Sequence, residues 1–203
     1  MLVWLYWPAA PAALLAWALV ACFFRDPSRR TPSQPGVCVS PADGRVSDIT
    51  PLGADSLLGR DGVQVGVFMS LFDVHVNRSP CDGRVERIEH REGVFLDARD
   101  PAASERNESA TIFLKTDFGG KSLPVIVRQV AGLVARRIVT DLTDSQTVRR
   151  GQRIGMIKFG SRLEVLAPRE LAGEVRVRVG QKVRAGQTVL VAAEPGNDTD
   201  AQN

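Results

Sequence analysis

Few residues in this chain can move a proton or attack a carbonyl near neutral pH. There are two histidines, His75 and His90, and three cysteines, Cys22, Cys38 and Cys81. His90 lies in IEHRE (88–92), surrounded by charge, and reads as a solvated side chain. His75 follows Asp73 and Val74 in an apolar run, and strand alternation would put the Asp73 carboxylate and the imidazole on one face, two residues apart. A histidine between valines is commonly a hydrogen-bonded structural residue. It is also one of only two groups here that titrate close to neutrality. The third piece is Gly160-Ser161, at the end of an expected strand (148–157) and just before the apolar run 163–166. Gly-Ser is ordinarily a turn. The chemistry it permits is attack of the serine hydroxyl on the carbonyl preceding it, given a base to take the proton.

Other chemistries are poorly supplied. An odd number of cysteines without metal-ligand spacing argues against a disulfide framework and for a reducing compartment. Two histidines cannot furnish a three-ligand zinc site with a general base, which excludes a zinc peptidase. The 26 basic and 23 acidic residues leave a net charge of +3, and the arginines are scattered, so no nucleic-acid partner is expected.

The elements that must position these groups follow from the order of the chain. Residues 1–24 carry no charge and hold all three tryptophans and the only tyrosine, a composition suited to the bilayer interface. Pro8 and Pro11 interrupt a helix there, so the segment reads as a hydrophobic membrane-anchoring helix that is short for a full span. It lacks the basic leader of a cleaved signal peptide. Arg25, Arg29 and Arg30 come next and would keep the domain on the cytoplasmic side. Residues 25–36, with three prolines, read as a linker; 37–193 as one folded domain; and 194–203 as a polar disordered tail.

Within the domain, SPADGRV (40–46) returns as SPCDGRV (79–85), and VRRGQRI (148–154) returns as VRAGQTV (183–189). Asp-Gly sets a tight turn before each valine, and on this reading Asp43 and Asp82 are both turn residues. EVRVRV (174–179) alternates strictly, with valine expected inward. No long helical period appears after residue 36. The expected fold is therefore all-β, a sandwich or barrel built from duplicated β-hairpins, similar to the barrel-sandwich hybrid motif of lipoyl and biotinyl carriers.

FFRDPSRR (23–30), SPADGRV (40–46), FMSLFDVHVNRSPCDG (68–83), SERNES (104–109) and MIKFGSR (156–162), in this order and spacing, resemble the short bacterial and archaeal form of pyruvoyl-dependent phosphatidylserine decarboxylase. The resemblance covers Phe23 to Val191. It implies a precursor that cleaves itself at Gly160-Ser161 into a β chain, 1–160, and an α chain, 161–203, which remain together as a heterodimer. Ser161 would become a covalent pyruvoyl cofactor, forming a Schiff base with phosphatidylserine and drawing off electrons as carbon dioxide leaves to give phosphatidylethanolamine. Asp43 and His75 match the carboxylate and imidazole that activate the serine. Longer members carry D-x-H-x-x-H, whereas this chain has Asp73, His75 and then Arg78. His75 is thus expected to serve both self-cleavage and decarboxylation. Asp43 stands either as a catalytic carboxylate or as a turn residue, and Arg78 either as a contact to the lipid phosphate or carboxylate or as a solvated side chain. Asn107 and Glu108 match a family element whose role the residues do not reveal. A membrane location, with phosphatidylserine in the bilayer as partner and a higher oligomer possible, follows from the same resemblance. The rival reading is a non-catalytic membrane-anchored adaptor or carrier on the same β scaffold. A carrier needs a lysine at a hairpin tip, and Lys115, Lys121, Lys158 and Lys182 lack that setting. The adaptor requires an unbroken chain.

Overall fold

The computed structural model describes residues 10–100, 102–133, 137–158 and 160–194. The first nine residues of the expected anchor, Phe159 in the MIKFGSR stretch and the expected tail beyond 194 lie outside the described residues. The described chain is mostly β, with helices α1 (Ala10–Phe23) and α2 (Ala103–Arg106) and a large sheet curled into a half-barrel. Its strands are β1 (Val37–Val39), β2 (Gly44–Leu52), β3 (Gly62–Met69), β4 (Val76–Arg78), β5 (Gly83–Arg91), β6 (Ser109–Phe118) and β7 (Lys121–Val130). They continue as β8 (Ile138–Thr140), β9 (Thr147–Val148), β10 (Arg153–Ile157), β11 (Ser161–Pro168), β12 (Glu174–Val175), β13 (Lys182–Val183) and β14 (Val189–Ala192).

Eight strands form the large sheet in the order β13-β2-β3-β11-β7-β6-β5-β9, and two three-stranded sheets have the orders β4-β10-β8 and β1-β14-β12. These orders are palindromic about the β11-β7 pair. Strand β2, which follows SPAD, pairs with β13 through Gly44 and Val183, while β5, which follows SPCD, pairs with β9 through Gly83 and Val148. The repeated loops are tied in the same way: the Gly186 amide donates to Ser40 O and the Gly151 amide to Ser79 O, each at 2.8 Å. Even the irregularities repeat, with register shifts at Val46/Asp48 and Val85/Arg87 that bend both strands and help curl the sheet. The duplicated hairpins are thus β2-β3 and β5-β6, and each borrows an outer strand from far along the chain.

The core fills the inside of the half-barrel, with Val65, Val67, Ile112, Val127, Leu163 and Val165 among its buried members. A smaller cluster of Leu58, Phe113, Ile126 and Leu166 covers the other face. Central strand β11 is buried along its whole length because both faces are covered. Two expectations need correction. EVRVRV is a strand only at Glu174–Val175, and Val175 and Val179 are exposed while Val177 alone is buried. The chain turns there, with the Gln181 amide bonded to Arg178 O, so alternation cannot continue. Asp73 and His75 do not share a strand face. They precede β4 in a turn closed by the Asp73 amide donating to Ser70 O, with the Asp73 carboxylate accepting the Ser70 amide and hydroxyl at 2.9 and 2.7 Å.

Candidate active site

The chain passes from β3 in the large sheet to β4 in the β4-β10-β8 sheet through residues 70–75, and from β10 in that sheet to β11 in the large one after Lys158. Strands β3 and β11 are neighbours in one sheet, β4 and β10 in the other. Ser161 is opposite Met69, where the first crossover begins, and Met156 is opposite Val76, where it ends. Topology therefore lays the crossover carrying His75 alongside the one carrying Gly160 and leading into Ser161.

Ser161 opens β11 and is fully buried, and its hydroxyl has no hydrogen-bond partner among the described residues. A buried hydroxyl without a partner costs free energy, about 1–3 kcal/mol, and structures keep such groups where chemistry uses them. Gly160 sits at φ +61°, in the left-handed region that favours glycine. The imidazole of His75 is fully buried beneath the Phe23 ring at the end of α1, with centroids 4.3 Å apart. Burial pushes its pKa below the ordinary 6.5, and the charge on Arg25 adds to this, while a hydrogen bond with the Asp73 backbone and the Asp73 charge oppose it. His75 is accordingly neutral at pH 7, the state a general base requires.

The segment expected as a linker lies across this region. Arg25 donates to Phe72 O at 2.7 Å, Arg78 pairs with Asp26, and Arg29 pairs with Asp43 at 2.7 Å. Asp43 also accepts the Ala185 amide at 2.7 Å, and Asp82 accepts the Arg150 amide at 3.0 Å in the matching place of the other repeat. The shared bond is what the turn needs; the Arg29 pair is peculiar to Asp43. Besides Asp26, the Arg78 guanidinium is held by Gly151 O at 2.9 Å and Pro27 O at 3.3 Å. His90 is exposed on β5. Cys38 and Cys81 are buried and reduced; a hydrogen bond from Cys38 and burial push the Cys81 thiol up, which makes Cys81 a poor nucleophile. No metal-binding cluster occurs among the described residues.

Sequence reasoning missed a buried polar layer around β11. Glu164 is wholly buried, accepts from Arg162 at 2.8 Å and from the Ser104 hydroxyl, and pairs with Arg128. Arg162 reaches on to Asp48 at 2.8 Å. A lone acid in the apolar run LEVL was the available signal. On the neighbouring side Gln129 donates to Asn77 at 2.8 Å and accepts from Thr140 at 3.0 Å. Asn107, of the unexplained SERNES element, bonds Leu96 N and O, both at 2.9 Å, and Ala131 O at 2.8 Å.

The sequence profile of phosphatidylserine decarboxylase matches residues 17–191, a span that includes every candidate site residue described above. The chain belongs to the phosphatidylserine decarboxylase family. It is 46% identical over 193 residues to the phosphatidylserine decarboxylase proenzyme of Nitrobacter winogradskyi, covering 94% of this chain and 76% of that one. The proenzymes of Rhodopirellula baltica and Desulfotalea psychrophila are each 41% identical, over 95% and 87% of this chain and 79% and 80% of theirs. These relatives are named as proenzymes, and in this chain the buried hydroxyl of Ser161 follows a glycine at positive φ.

Proposed function

We propose that this decarboxylase converts phosphatidylserine to phosphatidylethanolamine after cleaving its own chain between Gly160 and Ser161. The observation that carries the reading is the buried, unpartnered Ser161 hydroxyl beside a glycine at positive φ. In the first step Ser161 Oγ attacks the Gly160 carbonyl carbon. Neutral His75 takes the hydroxyl proton and returns it to the Ser161 nitrogen as the C–N bond breaks, leaving an ester. Loss of the Ser161 α-proton then expels the Gly160 carboxylate. The resulting enamine tautomerises to an imine, and water replaces its nitrogen, releasing ammonia and leaving a pyruvoyl group at residue 161. These residues fit the group, since the cleavage is of their own bond and requires nothing bound from outside. Once formed, the pyruvoyl ketone supplies an electron sink for an amine substrate. His75, in the other crossover, is assigned to take the proton released by the substrate ammonium group and pass it to the carbon that loses carbon dioxide.

Asp43 is assigned a positioning role, holding Arg29 and the 185 amide beside the Pro41 carbonyl that accepts the Arg78 amide. Arg78 is the candidate contact for the lipid phosphate or carboxylate, and the Asp26 carboxylate now holds it in that manner. The barrel-sandwich description is favoured by the palindromic strand order. After cleavage, 161–203 would stay bound to 1–160, because β11 lies between β3 and β7, β13 pairs with β2 and β14 with β1.

A membrane location suits a diacyl substrate. No helix among the described residues is long and apolar enough to cross a membrane. Helix α1 exposes Leu14, Leu15, Trp17 and Leu19, however, and Phe72 is 82% exposed on the crossover bonded to Arg25. We assign both to the headgroup boundary of a bilayer on the cytoplasmic side, next to the site. Intact-mass analysis tests the whole reading. Two chains parted between 160 and 161, the smaller capped by pyruvoyl, are expected, and Ser161→Ala should stay whole and inactive. An active but unbroken wild-type chain would overturn the proposed self-cleavage.

A further inference from the structure

Gly160 is not the glycine under the greatest steric demand at the scissile bond. A Cβ placed on Gly160 would have nothing within 4 Å, whereas one placed on Gly132 would lie 1.7 Å from the Gly160 carbonyl oxygen and 2.8 Å from its carbonyl carbon. Gly132 therefore lies directly against the carbonyl that Ser161 must attack. It is glycine for want of room, and the obstacle is backbone, which cannot swing aside as a side chain end can.

What holds Gly132 there is the SERNES element. Asn107 is fully buried, and its amide nitrogen donates to Ala131 O at 2.8 Å, one residue before Gly132. The Ala131 amide donates to Glu108 O at 2.9 Å. The other contacts of Asn107, to both backbone groups of Leu96, fix the strand of chain that brings the Ala98 methyl to 3.4 Å from the Gly132 position. Residues 96–98, 107–108 and 131–132 thus form one locked wall behind the Gly160 carbonyl.

We propose that Gly132, held by Asn107, is the positioning surface for self-cleavage: it fixes the direction of the Gly160 C=O and leaves the oxygen room to move as the carbon becomes tetrahedral. The inference rests on the proposed cleavage between residues 160 and 161, and it assigns Gly132 and Asn107 to the first step, before the ester forms. Carbonyl and hydroxyl must meet in a narrow range of geometry, and a misplacement near 1 Å can cost about 100-fold in rate.

The test uses full-length chain and follows the fraction cleaved over time for wild type, Gly132→Ala and Asn107→Ser, with and without hydroxylamine, which splits an ester but not an amide. Thermal melting monitors folding. Wild-type cleavage at 160/161 is checked first, since its failure would remove the parent reading and not this one alone. The expected result is a Gly132→Ala chain that melts cooperatively, is processed about 100-fold more slowly and is not split by hydroxylamine. Asn107→Ser should show the same block in milder form. Cleavage of Gly132→Ala at the wild-type rate would overturn the proposal. So would a hydroxylamine-sensitive chain, which would place the block after the attack. If Gly132→Ala does not fold, Asn107→Ser decides: slow, hydroxylamine-resistant processing upholds the assignment, and normal processing ends it.

Discussion

At the scale of single residues, the proposed cleavage turns on the protonation state of His75. Its pKa lies below 6.5 chiefly because the ring is buried. A base acts only when neutral, so the rate of self-cleavage should be level around pH 7 and fall only on acidification beyond 6.5, measured by gel densitometry across buffers. Arg25 lowers the same pKa. Arg25→Gln should therefore move the acid limb to higher pH, and an unmoved limb would dissociate His75 from the rate. Stability has the same sign. With the folded pKa depressed, the unfolded chain takes up the proton first as pH drops below 6.5, and the fold weakens there.

At the scale of elements, β11 carries both the serine of the proposed cleavage and a buried network that holds the strand still. Its Glu164 is fully buried between Arg128, Arg162 and Ser104. Removing one partner from such a buried network leaves uncompensated charge. Glu164→Gln should cost about 3–5 kcal/mol in urea denaturation, measured in the Ser161→Ala background so that every molecule is one chain. The repeated turns give a second, smaller test. Asp82→Ala loses one carboxylate bond to the Arg150 amide, worth about 1 kcal/mol, and should leave cleavage unchanged. Asp43→Ala also loses the Arg29 pair, and its larger cost should come with slower cleavage, because Arg29 belongs to the segment lying over the site. Equal effects from both aspartates would reduce Asp43 to a turn residue.

At the scale of the molecule, the described strands pass between two similar halves twice, from β3 to β4 and from β10 to β11, and those two passages carry His75 and Gly160. A duplicated β fold needs connectors between its halves, and the proposed cleavage would place the reactive groups on those connectors. The apolar surface is on the same side through α1, whose Phe23 covers His75, and through Phe72. Burying a phenylalanine contributes about 1.5–3 kcal/mol, so Phe72→Ser should weaken binding to phosphatidylserine-containing vesicles by roughly tenfold or more. Vesicle sedimentation measures this directly, and unchanged binding would confine membrane contact to the amino-terminal segment.

Local pattern was enough for the family and the β class, because short motifs, turns at Asp-Gly and valine alternation are properties of neighbouring residues. The two repeats were legible for the same reason. Their partnership was not: that β2 takes β13, β5 takes β9, and the crossovers lie side by side depends on pairings between distant strands, which leave no short-range signature. The alternation of EVRVRV misled because a turn outweighed it, and the Asp73–His75 spacing misled because Ser70 drew the carboxylate into a turn. Asn107 and Gly132 were invisible as a pair, since what matters about them is the space around a carbonyl belonging to residue 160. Residue types set which reaction was available; three-dimensional packing alone decided which groups crowd, bury and orient the Gly160-Ser161 bond.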